Sequence, residues 1–512
     1  MRRHWQRRWP ICVRMRPFRA NLKPYSTPRM MTTTDSYKEQ KRMIEITLTL
    51  KQQEAVDYDG KEMLIKGIAG SGKTLVLLNK ANKILAAQER ENVYLFTYNG
   101  TLAAYAKELA AMIGSDRLHV YTFHSWASRM LAKLNIRMQM VKGDEQEELL
   151  RNSVMSVCQT APHRLVAEEK YFDFLAEEIS WIKGKSLFTL ESYLQAERTG
   201  RGTKVNVDQK GREVIFAVFQ QYQGDLKRLG QADFDDLAAI LDRSFAQLGP
   251  LKDLDNVLID EAQDLQEIQL KLLRKCANKR MIIAADKGQK IYNTSFTWRD
   301  IGINITGGRT KVLHDSFRST KQIIELAYSL QKHDPIYKDR DEEFVHPVVP
   351  QREGPVPRLI QCGGYDEEEE YVLRSVQELY RLNPNWKIGI LCRKNASLSK
   401  FQKRLPPLGV PAEYVKKMSG SAFRPGVKLL SFHSAKGLEF DAVFLYRLRE
   451  KVIPIYDQAE DLDEDTLSTE RRLLYVAITR AKSVLVMTYY GRRSRFIDEL
   501  DPALYRYEGV GR

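Results

Sequence analysis

The stretch Gly67-Ile-Ala-Gly-Ser-Gly-Lys73-Thr74 fits the pattern G-x-x-x-x-G-K-[ST]. The apolar run 63–66 before it suits a buried strand, and residues 75–87 after it are typical of a helix. Glycines let backbone N–H groups approach a phosphate, a helix N-terminus favours an anion, and Lys73 adds a positive charge. The flanks therefore favour a phosphate-binding loop over an ordinary glycine-rich turn, with Thr74 as a ligand of Mg²⁺.

The composition bounds the class of protein. A chain of 512 residues is expected to hold two or more domains. No apolar run approaches the ~20 residues of a membrane span, so we expect no membrane partner. The five cysteines lie far apart and form no C-x-x-C pair: Cys12, Cys158, Cys276, Cys362 and Cys392. This spacing argues against a zinc site and a disulfide framework and favours a reducing compartment.

The net charge of +15 is concentrated at the N-terminus. Residues 1–30 carry nine Arg and Lys and no acid, which leaves 72 basic against 66 acidic residues elsewhere. A nucleic-acid path must therefore be a local groove. The Arg-rich, acid-poor stretch 1–42 is either an organellar transit peptide, a disordered basic tail or an extension from an upstream start codon. We favour the last two and expect a cytoplasmic, nucleoid-associated protein.

Strand-like and helix-like runs alternate after the phosphate loop. Residues 93–99 precede a helical pattern at 101–112, and residues 119–126 repeat the arrangement. Such alternation predicts a parallel α/β sheet with right-handed crossovers. From about 138 to 232 the alternation gives way to helical patterns, which predicts a helical insertion. Its basic loop, 198–204, is either a phosphate contact or a solvated turn.

Two carboxylates follow the apolar run 256–259, namely Asp260 and Glu261. Ligands of open α/β sheets bind at the carboxyl ends of the strands. Asp260 would hold Mg²⁺, and Glu261 would orient and deprotonate water. The alternative is an acidic turn that caps a strand, which the phosphate loop upstream makes the weaker hypothesis.

An aromatic and basic segment follows the strand-like run 281–286. Phe296, Trp298 and Arg299 suit stacking on single-stranded bases, but an aromatic cluster is also typical of a core. Gly307-Gly308 resembles a hinge, so we expect a first domain at 43–308 and a second at 309–512. In the second domain, strand-helix units recur, which predicts another parallel sheet.

Three further motifs occur in order: VLIDEAQD at 257–264, FHSAKGLEFD at 432–441 and LLYVAITRAK at 473–482. With the phosphate loop, they resemble the UvrD/Rep-type superfamily 1 helicases across roughly residues 46–490. The resemblance implies an α/β fold of two RecA-like parallel-sheet domains, with the helical insertion in the first. It also implies an ATP- and Mg²⁺-dependent 3′→5′ DNA helicase or single-strand translocase. Its partner would be single-stranded or tailed duplex DNA, with a protein partner an open question.

The resemblance assigns the nucleotide site residue by residue. Contacts to the phosphates and Mg²⁺ would come from Gly67, Ala69, Gly70, Ser71, Gly72, Lys73, Thr74 and Asp260, with Glu261 as the general base. Gln52 would read adenine, Phe317 would stack on it, and Glu439 would contact the ribose. Gln289 would sense the γ-phosphate, and Arg318 and Arg480 would reach it from the second domain.

On the nucleic-acid side, the residues that match DNA contacts in the family are Tyr98, Thr122, His124, Trp298 and His433. Two departures stand out. Leu75 replaces an arginine that commonly packs on adenine, which predicts a looser nucleotide clamp. Only 34 residues separate Cys392 from Val427, where larger relatives carry an accessory domain. The alternative function is therefore an ATP-gated nucleic-acid-binding switch or remodelling protein without processive unwinding, and RNA is an alternative substrate.

Overall fold

The structure is a computed structural model. It describes residues 48–509 except 99, 199–204, 253, 292–295, 339–344, 416–423, 457–461 and 463. The tail predicted at 1–42 and all of the basic loop except Arg198 lie outside this range. Within the described part of the chain, no helix has both the length and the apolar character needed to cross a bilayer.

The described residues before 314 contain eight strands: β1 (Glu62–Gly67), β2 (Val93–Thr97), β3 (Leu118–Thr122), β4 (Gln139–Met140), β5 (Gln231–Ala232), β6 (Leu254–Ile259), β7 (Ala277–Ala285) and β8 (Thr310–Leu313). Six of them form a sheet in the order β3-β2-β6-β7-β1-β8, and every neighbouring pair is parallel. The inner strands β1, β2, β6 and β7 are mostly buried and apolar, as expected when helices cover both faces of a parallel sheet.

The helices of the first domain are α1 (Leu50–Asp57), α2 (Lys73–Ala87), α3 (Gly100–Ile113), α4 (Phe123–Lys133), α5 (Asp144–Thr160), α6 (Arg164–Ala167), α7 (Phe172–Gly184), α8 (Leu190–Gln195), α9 (Gln209–Arg228), α10 (Asp236–Arg243) and α11 (Glu267–Cys276). Helices α5–α9 form the insertion and enclose their own apolar core. Strands β4 and β5 pair in parallel at its two ends. The insertion thus occupies the interval 138–232, in which the strand-helix alternation stops.

The first sheet extends beyond the boundary expected at 308. Strand β8 pairs with β1, with Gly67 opposite Leu313. Gly307 and Gly308 therefore precede the last strand of the first sheet and do not separate the two sheets. The crossing into the second domain lies after Leu313. A four-residue edge strand with one buried side chain has too short a pattern to be recognised in advance.

The second domain contains β9 (Arg358–Cys362), β10 (Lys387–Cys392), β11 (Ala412–Tyr414), β12 (Gly426–Ser431), β13 (Phe440–Leu445), β14 (Ala481–Tyr490) and β15 (Arg506–Gly509). They form one parallel sheet in the order β11-β12-β10-β13-β14-β9-β15. Its helices are α12 (Lys321–Gln331), α13 (Pro335–Lys338), α14 (Tyr365–Leu382), α15 (Ser399–Arg404), α16 (Glu464–Ile478) and α17 (Arg495–Asp498). The predicted α/β class with two parallel-sheet, RecA-like domains is confirmed.

The short interval between β10 and β12 returns the chain to the sheet. Its described residues hold α15 and β11, and β11 pairs with β12 at the sheet edge. This part of the chain therefore completes the second sheet.

Candidate nucleotide and nucleic-acid site

The phosphate loop joins the end of β1 to the start of α2. Gly70 and Gly72 both have left-handed φ values, 77° and 83°. A Cβ on Gly70 would lie 2.7 Å from Cβ of Arg318, and one on Gly72 would lie 2.6 Å from Nε2 of Gln52. Both positions require glycine, because conformation and space exclude a side chain. The loop backbone therefore lies directly against the second domain and against α1.

Lys73 is buried in the loop that it follows. Its Nζ donates to the carbonyl oxygens of Gly67 at 2.8 Å and Ile68 at 3.1 Å. It also lies 3.5 Å from a carboxylate oxygen of Asp286. The ammonium group is thereby held at the N-terminus of α2, where an anion is favoured.

Thr74 and Asp260 form the candidate metal position. The Thr74 hydroxyl donates to Oδ2 of Asp260 at 2.5 Å. Burial, together with the charge of Glu261, raises the pKa of Asp260 to about 6. A divalent cation would counter both effects, and hydroxyl and carboxylate oxygens are the ligands that Mg²⁺ prefers. These residues therefore fit the metal that the sequence implies.

Glu261 is a half-buried carboxylate on a left-handed backbone, with φ of 52°. The side chain of Gln263 donates to its Oε2 at 2.5 Å. Burial alone would raise the pKa of Glu261, but the charges of Lys73 and Lys436 outweigh it and hold the pKa below its ordinary value. An ionised, oriented carboxylate beside the phosphate loop suits a general base.

A series of hydrogen bonds between polar side chains connects the two domains through Gln289. The backbone N–H of Asp286 donates to Oε1 of Gln263 at 3.0 Å, and the Gln289 amide donates to the Asp286 carboxylate. Arg480 of the second domain donates to Oε1 of Gln289 at 2.8 Å. Lys436 adds a second crossing, through its hydrogen bond of 2.5 Å to the carbonyl oxygen of Gln289.

Arg480 is one of the largest fully buried side chains, with an exposure of 1%. Its Nε donates to the carbonyl oxygen of Val476 at 2.9 Å, which fixes the fork at the end of α16. Burial and the nearby charge of Arg318 lower its pKa to about 9. The same guanidinium acts on Glu261, as does Lys73, so the cations from both domains act on one carboxylate.

Arg318 and Glu439 form the second-domain wall of the cleft. The Arg318 Nε donates to Oε1 of Glu439 at 2.7 Å, and Lys482 lies 3.2 Å from the other oxygen. Although burial opposes ionisation, these two cations lower the pKa of Glu439 to about 2. Beside them, Phe317 is 54% exposed, and its backbone N–H donates to the carbonyl oxygen of Gly70 at 3.0 Å.

Gln52 lies on the other side of the phosphate loop. Its Nε2 donates to the carbonyl oxygen of Ser71 at 3.0 Å, and its Oε1 accepts from the backbone N–H of Thr49 at 3.0 Å. The amide is thus oriented at the start of α1. Together with Phe317 it borders the space next to the phosphate loop, as expected for a base-binding end of the site.

The nucleic-acid candidates of the first domain follow β2 and β3. Thr122 caps α4, since its hydroxyl accepts from the backbone N–H of Ser125 at 3.2 Å. His124 lies in the first turn of α4, and burial lowers its pKa. Its ring lies 5.3 Å from the ring of Phe234, and its Nε2 is 3.4 Å from Nε2 of Gln269.

The sequence analysis did not select Phe234, which is 41% exposed beside His124. Its only signal was an apolar residue among acids in Asp-Phe-Asp-Asp.

For Trp298 the structure supports the core alternative. Its exposure is 6%, and it packs edge-on to Phe296 with ring centroids 5.4 Å apart. Trp298 belongs to the apolar core under the first sheet, against which Phe296 and Tyr98 pack. Because the indole is buried, it presents little face to a base.

His433 follows β12 in the second domain, where burial and Arg393 lower its pKa to about 4.

Two family models match the chain. The UvrD/REP helicase N-terminal domain matches residues 48–302, and the UvrD-like helicase C-terminal domain matches residues 417–492. Together they cover more than half of the chain. The chain belongs to the UvrD-like family of DNA helicases.

Curated relatives are distant. A probable DNA helicase II homolog from Mycoplasma capricolum is 24% identical over 383 residues, covering 70% of this chain but 50% of that protein. A probable DNA helicase from Mycoplasma pneumoniae is 24% identical over 483 residues, covering 86% of this chain and 83% of that protein. The chain therefore spans half the length of the Mycoplasma capricolum protein. A solved C-terminal domain of a possible DNA helicase from Lactobacillus plantarum is 22% identical, with a TM-score of 0.27 over 38% of this chain and 98% of that domain.

Proposed function

We propose that the chain is an ATP-dependent DNA helicase or single-strand DNA translocase that moves 3′→5′ and hydrolyses ATP between its two sheets. The observation that carries the proposal is the hydrogen bond from Arg480 to Gln289, which brings a buried guanidinium of the second domain to the phosphate site of the first. A cation supplied across a cleft in this way makes hydrolysis depend on the relative position of the domains.

Each residue of the site then has a part in hydrolysis. The phosphate loop and Lys73 bind the phosphates, and Glu261 orients the attacking water and accepts its proton. Thr74 and Asp260 would hold Mg²⁺, which supplies charge neutralisation at the phosphate oxygens when bound. Arg480 stabilises the charge that develops on the transferred group, an effect worth about 10³–10⁵ in rate where it has been measured.

Contacts at the carboxyl edges of the sheets support coupling to DNA. His124 touches α11, which begins three residues after Asp264 at the end of the acidic motif. His433 lies three residues before Lys436, which contacts Gln289. A DNA strand bound to both histidines would therefore respond to a change in the relative position of the two domains. Separating a base pair costs a mean of about 1.4 kcal/mol per step, which is within reach of one ATP per base.

Strand displacement with a 3′ tail, a 5′ tail or no tail tests the proposal. We expect ATP-dependent unwinding of the 3′-tailed duplex alone, and an ATP turnover that single-stranded DNA stimulates. Unwinding from a 5′ tail would contradict the polarity. An ATP turnover that ignores added oligonucleotide would contradict the function. Replacing DNA by RNA in the turnover assay decides the substrate class, because the 2′-hydroxyl is the group by which a protein distinguishes RNA from DNA.

The short interval between β10 and β12 favours a second candidate, an ATP-gated binding or remodelling protein. Its described residues contribute β11 to the second sheet and otherwise form α15 and two short 3-10 helices, Asn395–Leu398 and Pro406–Leu408. Strong single-strand stimulation of ATP turnover without strand separation would support this second function. Addition of a partner protein that restores unwinding would distinguish a helicase that needs assistance from a switch.

A further inference from the structure

A cluster of cations and aromatic rings lies at the carboxyl edge of the second sheet, outside the nucleotide site. The edge cluster consists of Tyr365, Arg447, Arg449 and Tyr490. The guanidinium carbon of Arg447 lies 4.2 Å from the ring centroid of Tyr365, and that of Arg449 lies 3.7 Å from Tyr490. The two rings meet edge to face at 6.2 Å. The cluster forms because β9, β13 and β14 are parallel and end at the same edge.

The backbone of the edge cluster is strained. Arg447 has a φ of 64°, and Lys451 close by has a φ of 65°. Left-handed conformations cost a non-glycine residue about 1–3 kcal/mol and gather at functional sites. Another described non-glycine residue of this kind is Glu261, the candidate general base. A glycine at position 447 would avoid the strain, so the arginine indicates that the cation itself is used.

The guanidinium groups of Arg447 and Arg449 lie over tyrosine rings, and among the described residues no carboxylate forms an ion pair with them. Arg447 donates to the hydroxyl of Ser397 at 3.1 Å, while Nε of Arg447 and of Arg449 make no hydrogen bond to described residues. Neither arginine forms an ion pair within the described part of the chain. The acids around them are the buried Glu368, which accepts from the backbone N–H of Arg447 at 3.1 Å, and Glu450, which Arg495 engages at 2.5 Å. Asp366 and Glu367 lie in the first turn of α14, and Glu367 accepts from the backbone N–H of Gly363.

The position of the edge cluster relates it to the nucleic-acid track. In the sheet order β12-β10-β13-β14-β9, His433 follows β12 and the cluster follows the last three strands. At about 4.8 Å per strand, the cluster begins roughly 10 Å from the end of β12 and reaches roughly 19 Å. A nucleic-acid strand leaving His433 along this edge would meet it within a few nucleotides. Lys400, whose Nζ lies 4.3 Å from the Tyr365 ring, adds a cation on the same side.

We propose that the edge cluster binds backbone phosphates of the DNA strand beyond His433 and so lengthens the contact made by the second domain. The proposal rests on the nucleic-acid track of the proposed function. Arginine forks match phosphate oxygens bidentately, and a guanidinium that lies on a tyrosine ring is already oriented.

Equilibrium binding of fluorescent oligothymidylates tests the edge cluster with the full chain. Strand lengths from roughly 6 to 24 nucleotides bracket the usual footprint of a single-strand-binding module. The test variant combines Arg447→Gln with Arg449→Gln. The control combines Arg374→Gln with Arg506→Gln, which removes the same charge from two exposed arginines that pair with Glu370 and Glu508. Melting temperature and DNA-independent ATP turnover verify the fold of each variant.

We expect the test variant to bind long strands more weakly by about fivefold per lost phosphate contact near 0.1 M salt, because the salt slope on single strands is about 0.7 per contact. Its slope on long strands falls by about 1.4 for two contacts, while the shortest strands and the control are unaffected. Arg447→Lys with Arg449→Lys restores most of the slope but less of the affinity. Unchanged affinity and slope in a test variant whose parent binds DNA would overturn the edge cluster alone. A parent chain that binds no strand would overturn the proposed function first.

Discussion

Arg480 and Gln289 meet across the cleft, where the guanidinium donates to the glutamine side-chain oxygen at 2.8 Å. Gln289 in turn donates to Asp286, which lies 3.5 Å from the ammonium group of Lys73. Four side chains therefore connect the end of α16 in the second domain to the phosphate loop in the first. A nucleotide phosphate that takes Lys73 as its partner changes the contacts of every group in this chain, including the one that spans the domains.

Lys73→Ala should abolish ATP turnover, because it removes the only side-chain cation of the phosphate loop. Steady-state phosphate release measures this. Lys83→Ala is the matched control: Lys83 lies on the same helix with its side chain 39% exposed and pairs with Asp57 at 2.8 Å, so its loss should leave ATP turnover and melting temperature nearly unchanged. Turnover that survives in Lys73→Ala would remove the phosphate-loop assignment.

Arg480→Ala should spare nucleotide binding and reduce hydrolysis at least about a hundredfold, on the low side of values for arginines supplied across a cleft. Binding is measured with a fluorescent nucleotide and hydrolysis in single turnover. Because Arg480 is buried and holds the end of α16, an equal loss of binding would indicate a structural role instead. Arg480→Lys keeps a charge without the fork and should show intermediate hydrolysis with a smaller loss of melting temperature than Arg480→Ala.

Phe234 and Trp298 should respond differently to alanine. Phe234 lies half-exposed beside His124, so Phe234→Ala should weaken single-strand binding by ~1–3 kcal/mol with little change in melting temperature. Trp298 is buried in the core under the first sheet, so Trp298→Ala should cost about 3–5 kcal/mol of stability. Strand titrations and urea unfolding separate the two effects. A reversed pattern would return the stacking role to Trp298.

Glu368 should make stability depend on pH. It is buried beneath the edge cluster, where burial outweighs the charges of Arg447 and Arg449 and raises its pKa from 4.5 to about 7. Between these two values the folded chain binds a proton that the unfolded chain has lost, so the free energy of unfolding should fall as pH rises, by roughly 3 kcal/mol in total.

Urea unfolding from about pH 4.5 to about pH 7 follows this loss. Glu368→Gln keeps an acceptor for Thr488, whose hydroxyl bonds Glu368 at 2.7 Å, and should flatten the profile over this range. A variant with the same slope as the parent would show that another group is responsible.

Most residues of the candidate nucleotide site could be selected from the sequence, because each part is local. The glycines, Lys73 and Thr74 lie in one loop, and Asp260 and Glu261 end one strand. Short motifs with fixed geometry retain their meaning in any parallel sheet. The helical insertion could also be predicted, since a change from strand-helix alternation to helical periodicity can be recognised without knowing which residues are in contact.

The remaining features depend on contacts between distant residues. Strand β8 is recognised by its pairing with β1, and Trp298 is buried by neighbours from several elements. The edge cluster joins residues from three strand ends, which together span the 125 positions from Tyr365 to Tyr490. No local pattern groups these residues, and only the strand order places Arg447 on Tyr365 and Arg449 on Tyr490.

The crossing between the domains has a mechanical consequence. The chain leaves β8 at Leu313, bonds to Gly70 through Phe317, and within a few residues reaches the second sheet, where the Ser319 hydroxyl donates to the carbonyl oxygen of Ala481 at 2.6 Å. The pivot of any rotation between the two domains therefore lies beside the phosphate loop. A small angular change there is magnified with distance, so the far rim of the second sheet sweeps the longest arc while the nucleotide itself scarcely shifts.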